Sequence, residues 1–354
     1  METTKFDRRL EKLTPDIWSK ISQIDELRGQ WITGAQLSPQ VLGRLKRYTL
    51  ITSTGASTRI EGAKLSDEDV EKLMHGLVMQ KFSNRDKQEV RGYYEILENV
   101  FDAWRTISFS ENTIKHLHQE LLKYAEKDKL HRGSYKSVEN KVHMVNEAGE
   151  SVAILFDTTA PWLTSKEMQE AVEWTQKAFK ERKQHPLLIV GSFLVEFLNI
   201  HPFQDGNGRL SRVLTNLLLL KEGYGYMPYI SHEKLIEDNK PDYYIALRRS
   251  QKTLMPEQGD ITPWLDFFLS VIVEQSRKAV ALLSKENIEK LMSPKQLLVW
   301  EYMQKTDGET SPGGIIEQTQ IARPTVNQAL DKLLKLKKIE RIGLGRTTKY
   351  KVLK

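Results

Sequence analysis

Residues 201–212 read His201-Pro202-Phe203-Gln204-Asp205-Gly206-Asn207-Gly208-Arg209-Leu210-Ser211-Arg212, and apolar runs of helical length flank them, Pro186 to Leu198 before and Val213 to Leu220 after. The stretch reads as a turn between two buried helices. Glycines on either side of Asn207 let the backbone take positive φ and aim its N–H groups at one point, a nest that attracts anions. The second helix starts at the same point and adds the positive end of its dipole. Arg209 and Arg212 are three apart on one helix face and can offer planar forks to phosphate or carboxylate. Asp205 is a hard oxygen ligand suited to a magnesium ion bridging two phosphates. His201 precedes the cradle, where a neutral imidazole can take a proton from an attacking hydroxyl. Phe203 reads as a packing anchor. Such a turn is suited to holding a polyphosphate.

Taken singly, a histidine before proline, an Asn-Gly pair or an arginine on a helix is usually structural. Together these residues fit every fixed position of the pattern H-P-F-x-[DE]-G-N-G-R-x-x-R, and the chain thereby resembles the Fic family. Ser57-Thr58-Arg59-Ile60-Glu61-Gly62 is similar to that family's inhibitory pattern [ST]-x-x-x-E-[GN], placed upstream as in the subgroup that carries it N-terminal to the signature. Ser57 and Glu61 are four apart on one predicted helix face, and Gly62 suits a C-terminal cap. The likeness runs from about residue 40 to about residue 270.

The resemblance implies a mainly helical enzyme that moves AMP from ATP to a Ser, Thr or Tyr hydroxyl of a target protein and releases pyrophosphate. It implies His201 as the base and Asp205 as the magnesium ligand. Gly206, Asn207 and Gly208 would be the phosphate cradle, with Arg209 at the β/γ end. Arg212 would orient the γ-phosphate, unless Glu61 pairs with it and so holds ATP out of line. In some members the same glutamate also helps remove AMP from modified targets. A hairpin is expected from alternation in Lys141 to Val145 and Ser151 to Phe156, within a flap spanning 137–158. The family's flap lies over the site and pairs with the target by its edge. Tyr243 is a candidate for the adenine pocket, and Gln251 stands where many members have an asparagine. Related proteins often pair through this domain, so a homodimer is expected. Because a nest reads phosphates and not a base, transfer of UMP or phosphate stays open.

The chain has 354 residues, 39% of them hydrophobic, and no cysteine, which excludes disulfides and thiolate metal sites. His116 and His118, two apart, point to different helix faces and suggest no zinc site. The sequence opens without a basic-then-apolar leader and contains no apolar run of membrane-spanning length, so a cytoplasmic protein without membrane contact is expected. Three parts are expected: an N-terminal helical region over 1–105, a catalytic core over 106–284 and a small terminal domain over 285–354. Within them the pattern predicts helices over Asp67–Met79 after a Ser66 cap, Glu111–Glu126, Ser165–Lys183 and Trp264–Ile288.

Residues 293–354 hold 12 Lys and Arg against 6 Asp and Glu, so their net charge of +6 equals that of the whole chain. Helices are predicted over Pro294–Gln304, Gly314–Gln320 and Arg323–Leu336, followed by an alternating hairpin. Three helices and a basic hairpin resemble a winged-helix (α+β) domain. That likeness implies Thr325, Asn327 and Gln328 facing a major groove, with Arg346 and Lys349 at phosphates. Protein contact by the same domain, with its lysines simply solvated, is the competing reading. A nucleotide-sensing, DNA-binding regulator is thus the alternative to a transferase.

Overall fold

The computed structural model describes residues 4–34, 39–76, 84–145, 151–254, 259–306, 308–336, 338–343 and 348–353, with the backbone alone at 141–145, 151–157 and 284–291. The fold is mainly helical. It divides into two compact units, Met1–Val280 and Ala281–Lys354, and residues on both sides of position 105 share the first of them.

In chain order the first unit contains α1 (Lys5–Arg9), α2 (Pro15–Gly34), α3 (Pro39–Ile60), α4 (Asp67–Met74), α5 (Asn84–Ala103) and α6 (Glu111–Leu121). Next come strands β1 (Lys141–Val145) and β2 (Ser151–Asp157), then α7 (Pro161–Glu181), α8 (Pro186–Ile200), α9 (Asn207–Lys221), α10 (His232–Asp238), α11 (Lys240–Gln251) and α12 (Thr262–Leu291), of which the part from Ala281 on is counted with the second unit. Helices α8 and α9 form the centre, because the run Leu187 to Leu198 is buried throughout and α9 is buried from Arg209 to Leu220. An element buried all round needs neighbours on every side. Helices α5, α7, α11 and α12 supply them, for example through Trp264 of α12, whose indole N–H donates to the Gly191 carbonyl at 2.9 Å.

Ser66 caps α4 by accepting from the Asp69 amide while Asp69 bonds back to the Ser66 N–H, the reciprocal box that fixes a helix start. That helix ends at Met74; positions 77–79 of the expected span lie outside the described residues. Helix α6 stops at Leu121 instead of reaching Glu126, and α7 begins at Pro161, four residues before the expected Ser165. Proline is favoured in a first helical turn, where its missing N–H costs nothing. Strands β1 and β2 pair antiparallel, from Lys141 opposite Asp157 to Val145 opposite Ser151. The 146–150 turn between them lies outside the described residues.

The second unit continues with α13 (Pro294–Lys305), β3 (Glu309–Thr310), α14 (Pro312–Thr319), α15 (Arg323–Lys335), β4 (Ile339–Ile342) and β5 (Lys349–Val352). Its sheet runs in the order β3-β5-β4, all antiparallel. Val299, Met303, Ile315, Val326, Leu330 and Leu333 are among the residues of its own core. The two-residue β3 was not expected from the sequence, being too short to show alternation.

Candidate active site

The turn between α8 and α9 is held by bonds that the sequence pattern predicts only in outline. Helix α8 ends on His201, whose backbone is left-handed (φ 51°) and whose N–H donates to the Phe197 carbonyl at 2.9 Å. Such a conformation is costly for a residue with a Cβ and persists only where its surroundings fix it. Asn207 does much of the fixing. Its side-chain oxygen accepts from the Phe203 N–H at 2.9 Å, and its amide donates to the Phe203 carbonyl at 2.7 Å. The Asn207 side chain is thereby tied to the loop through its oxygen and one of its two amide protons. Phe203 is fully buried and stacks on His118 with ring centroids 3.8 Å apart.

His118 clamps the loop from α6. Its Nδ1 accepts from the Gly133 N–H at 2.8 Å, which leaves the proton on Nε2 to donate to the Asp205 carbonyl at 2.9 Å. Burial holds this imidazole neutral by lowering its pKa to about 4. Gly206 follows in the left-handed region (φ 79°) as the N-cap of α9, and no side chain caps the helix start. The first amides of α9 have no partner within the helix and point toward the turn, as an anion site requires.

Around this start lies a chain of charges. One Asp205 oxygen accepts from the Gly206 N–H at 2.6 Å and lies 3.3 Å from Arg209; the other accepts from Arg85 at 3.0 Å. Burial alone would raise the Asp205 pKa, but Arg209, the Gly206 amide and Arg85 together bring it below the usual carboxylate value. Arg209, 2% exposed, also pairs with Glu89 at 3.0 Å, and Glu89 in turn accepts from Arg85 at 2.8 Å. Glu89 and Arg85 both come from the start of α5.

Arg212 takes a different set of partners, although it shares a helix with Arg209. Its Nε donates to the Ser57 hydroxyl at 2.8 Å, and one terminal nitrogen donates to the Ser57 carbonyl at 3.0 Å and to the Glu61 carboxylate at 2.7 Å. Burial disfavours the charge on Arg212, yet Glu61 more than offsets this and raises its pKa above the ordinary value. Ser57 lies in α3, while Glu61 sits just past its end, where Gly62 (φ 101°) reverses the chain. Both were expected on one helix face; Ser57 is in the helix, and Glu61 is in the turn that closes it. Glu61 also leans over Gly208: a Cβ built there would come within 2.3 Å of the Glu61 carboxylate oxygen. Only a glycine permits that approach. Behind Arg212, the buried Glu233 carboxylate accepts from Tyr93 at 2.9 Å and from Asn216 at 2.7 Å.

His201 is half-buried, and burial lowers its pKa to about 4, so the ring is neutral near pH 7. The Leu198 carbonyl lies 3.4 Å from Nδ1. A proton held there leaves the lone pair on Nε2. The structure thus gathers His201, Asp205, Gly206, Gly208, Arg209 and Arg212 around one helix start, with Glu61 beside them.

Other sequence candidates fall elsewhere. Tyr243 is 4% exposed and packs edge-on against Trp264 at 5.8 Å, in the core beside Arg212. Gln251 is buried in α11, and neither polar atom of its amide has a hydrogen-bond partner among the described residues. On α15, Asn327 and Gln328 are exposed and Thr325 is half-buried, and Gln328 accepts from Gln296 at 3.3 Å. Lys349 pairs with Glu309 at 3.2 Å, and Arg346 lies outside the described residues. Sequence reasoning passed over Arg85, Glu89, Lys136 and Asn140. Arg85 and Glu89 look like any exposed i,i+4 pair until the fold brings them to Asp205.

Residues 108–219 match the model of the Fic/DOC family. This segment is similar to Fic domains. A curated relative from Culex quinquefasciatus, "Protein adenylyltransferase Fic", is 32% identical over 129 residues, 36% of this chain and 22% of that protein. A namesake from Drosophila willistoni is 32% identical over 100 residues, 28% of this chain and 18% of that protein. The chain thus spans about a fifth of these relatives' length. Among solved structures, a Fic family protein from Desulfovibrio desulfuricans shares the fold with a TM-score of 0.63 at 24% identity, over 97% of both chains. A Fic domain containing signaling protein from Bacteroides thetaiotaomicron does so with 0.61 at 24%, over 74% of this chain and 97% of that one. The signature lies inside the matched segment, and the Glu61 segment lies upstream of it. Among the described residues, no helix is long and apolar enough to cross a membrane.

Proposed function

We propose that this protein is a protein adenylyltransferase that moves AMP from ATP to a Ser, Thr or Tyr hydroxyl of a target protein, and that Glu61 restrains it. The 2.7 Å contact between Glu61 and Arg212, beside the glycine-lined start of α9, carries the reading. ATP lays its phosphates on the amides of Gly206, Asn207 and Gly208, with Arg209 at the β/γ end. The neutral Nε2 of His201 takes the proton of the target hydroxyl as its oxygen bonds the α-phosphorus, and the bond from that phosphorus to the bridging oxygen breaks to release pyrophosphate.

Positioning and charge stabilisation supply nearly all of the catalysis in such transfers. With Arg212 held by Glu61 and the Glu61 carboxylate over Gly208, the γ-phosphate loses its guanidinium and meets a like charge. The nucleotide then binds out of line. Once modified, a target could return to the same site, and Glu61 would orient the water that removes AMP. Asp205 fits magnesium, because the ion commonly takes one carboxylate beside substrate phosphates. The ion would neutralise charge on the phosphates. Docking of the target by strand addition to the β1–β2 hairpin fits a two-stranded sheet, in which each strand pairs on one side only.

Incubation with labelled ATP and magnesium tests this reading. Labelling of the protein that persists unchanged in His201→Ala would contradict it. A second reading rests on the terminal unit, where α14 and α15 form a helix pair with exposed Arg323, Asn327 and Gln328 in a segment of net charge +6. It makes this unit a winged-helix DNA-binding module. Retention on DNA at low salt that weakens steeply as salt rises supports it, and no retention at low salt refutes it.

A further inference from the structure

Lys136 lies outside the signature, between α6 and β1, and is 4% exposed. Its ammonium donates to three neutral acceptors: Asn140 Oδ1 at 2.9 Å, Thr158 Oγ1 at 2.8 Å and the Ile200 carbonyl at 2.9 Å. Its backbone N–H donates to the Pro202 carbonyl at 2.8 Å. Asn140 immediately precedes β1 and Thr158 immediately follows β2, so they are the two feet of the hairpin. Ile200 and Pro202 flank His201. Asn140 extends the web, its amide donating to the Phe203 carbonyl at 2.8 Å and to the His201 carbonyl at 3.3 Å.

One residue therefore ties both feet of the hairpin to both neighbours of the imidazole, its ammonium reaching Ile200 and its backbone N–H reaching Pro202. Burying a charge without a matching carboxylate contact is costly, and burial indeed lowers the Lys136 pKa to about 8, against a smaller opposing pull from Glu167 on α7. A residue chosen only to fill space would not need three donors. Three donors on one atom are what a junction of three separate segments does need.

We propose that Lys136 is a positioning residue that holds the hairpin and His201 in one frame, so that a hydroxyl on a segment paired with the hairpin arrives at the imidazole. The proposal rests on the transferase reading above. Lys136→Met keeps the length of the stem and removes all three donors. In the active Glu61→Gly background, it is expected to lower the maximal rate of self-labelling from ATP by about 10- to 100-fold, since small misplacements of reacting groups cost that much. The KM for ATP stays within about twofold, because the phosphate cradle of α9 is not among its partners. Lys136→Arg, which keeps the charge and the donors, restores most of the rate.

Hydrogen exchange reads the same junction without any turnover. Amides of 138–140 and 156–160 should exchange at least about tenfold faster in Lys136→Met, with those of α9 unchanged. Exchange equal to that of the parent, exchange rising equally through α8 and α9, or a KM for ATP that rises in step with the lost rate would each overturn the proposal. If Lys136→Met does not fold, Thr158→Val removes the hydroxyl that accepts from Lys136 and donates to Asn140, and unchanged exchange at 156–160 then overturns it. Labelling that survives in His201→Ala would sink the transferase reading and leave the exchange result to be judged separately.

Discussion

At the scale of the residue, Glu61 and His201 carry opposite parts of the account. The Glu61 side chain keeps a third of its surface open while its partner Arg212 is 2% exposed. Removing the carboxylate therefore frees a buried guanidinium that keeps its hydrogen bonds to Ser57, and a phosphate can take the vacant place. Glu61→Gly is expected to raise AMP transfer at least about tenfold, the size of effect usual for one well-placed charge at a phosphoryl centre; a rate equal to wild type in a labelled-ATP assay would count against the role assigned to Glu61. His201→Ala should lower transfer by about 10²- to 10⁴-fold, as loss of a general base does. Because the His201 pKa is near 4, transfer should stay level as pH falls from 7 toward 5 and decline only as the ring gains its proton. A pH profile of the Glu61→Gly variant that already falls near pH 6.5 would contradict a neutral buried base.

At the scale of the element, the tip of α3 is held by Arg59 as well as by the site. Its guanidinium pairs with Glu237 of α10 at 2.6 Å and with Asp67 of α4 at 2.9 Å, and it donates to the Leu65 carbonyl at 2.9 Å. Arg59→Ala should loosen the turn bearing Glu61 and raise basal transfer several-fold, yet add little in the Glu61→Gly background, since both changes act on one contact. Fully additive gains in a double-mutant cycle would place Arg59 outside this device. The signature helices were legible from their apolar runs, and the His201–Arg212 turn from its glycines and charges. The length of α7 and the short β3 were not, since proline at a first turn and a two-residue strand leave no periodic trace. Nor does sequence reveal that Arg209 turns toward Glu89 while Arg212 turns toward Ser57. That choice is made by α5 and α3, which reach the site from more than a hundred residues away.

At the scale of the whole molecule, buried His118 and His232 and half-buried His201 are all neutral, with pKa values brought by desolvation from 6.5 to about 4. Between those limits the unfolded chain binds more protons than the folded one, so stability falls as pH drops from about 6.5 toward 4. The melting temperature should therefore decline over that window, and His118→Gln should flatten the decline; a melting temperature constant from pH 7 to 4.5 would contradict it. The two units carry different readings, a nucleotide site in Met1–Val280 and a helix pair within a basic segment in Ala281–Lys354. The central claim concerns the first: the Glu61 carboxylate, in the turn that follows α3, competes with the last phosphate of ATP for Arg212. Intact-mass spectrometry after incubation with ATP and magnesium tests it most directly, applied to wild type, Glu61→Gly and the Glu61→Gly/His201→Ala double variant. The account predicts the added mass of an AMP moiety on Glu61→Gly and little or none on the other two. Equal addition to all three proteins, or none to Glu61→Gly, would contradict it.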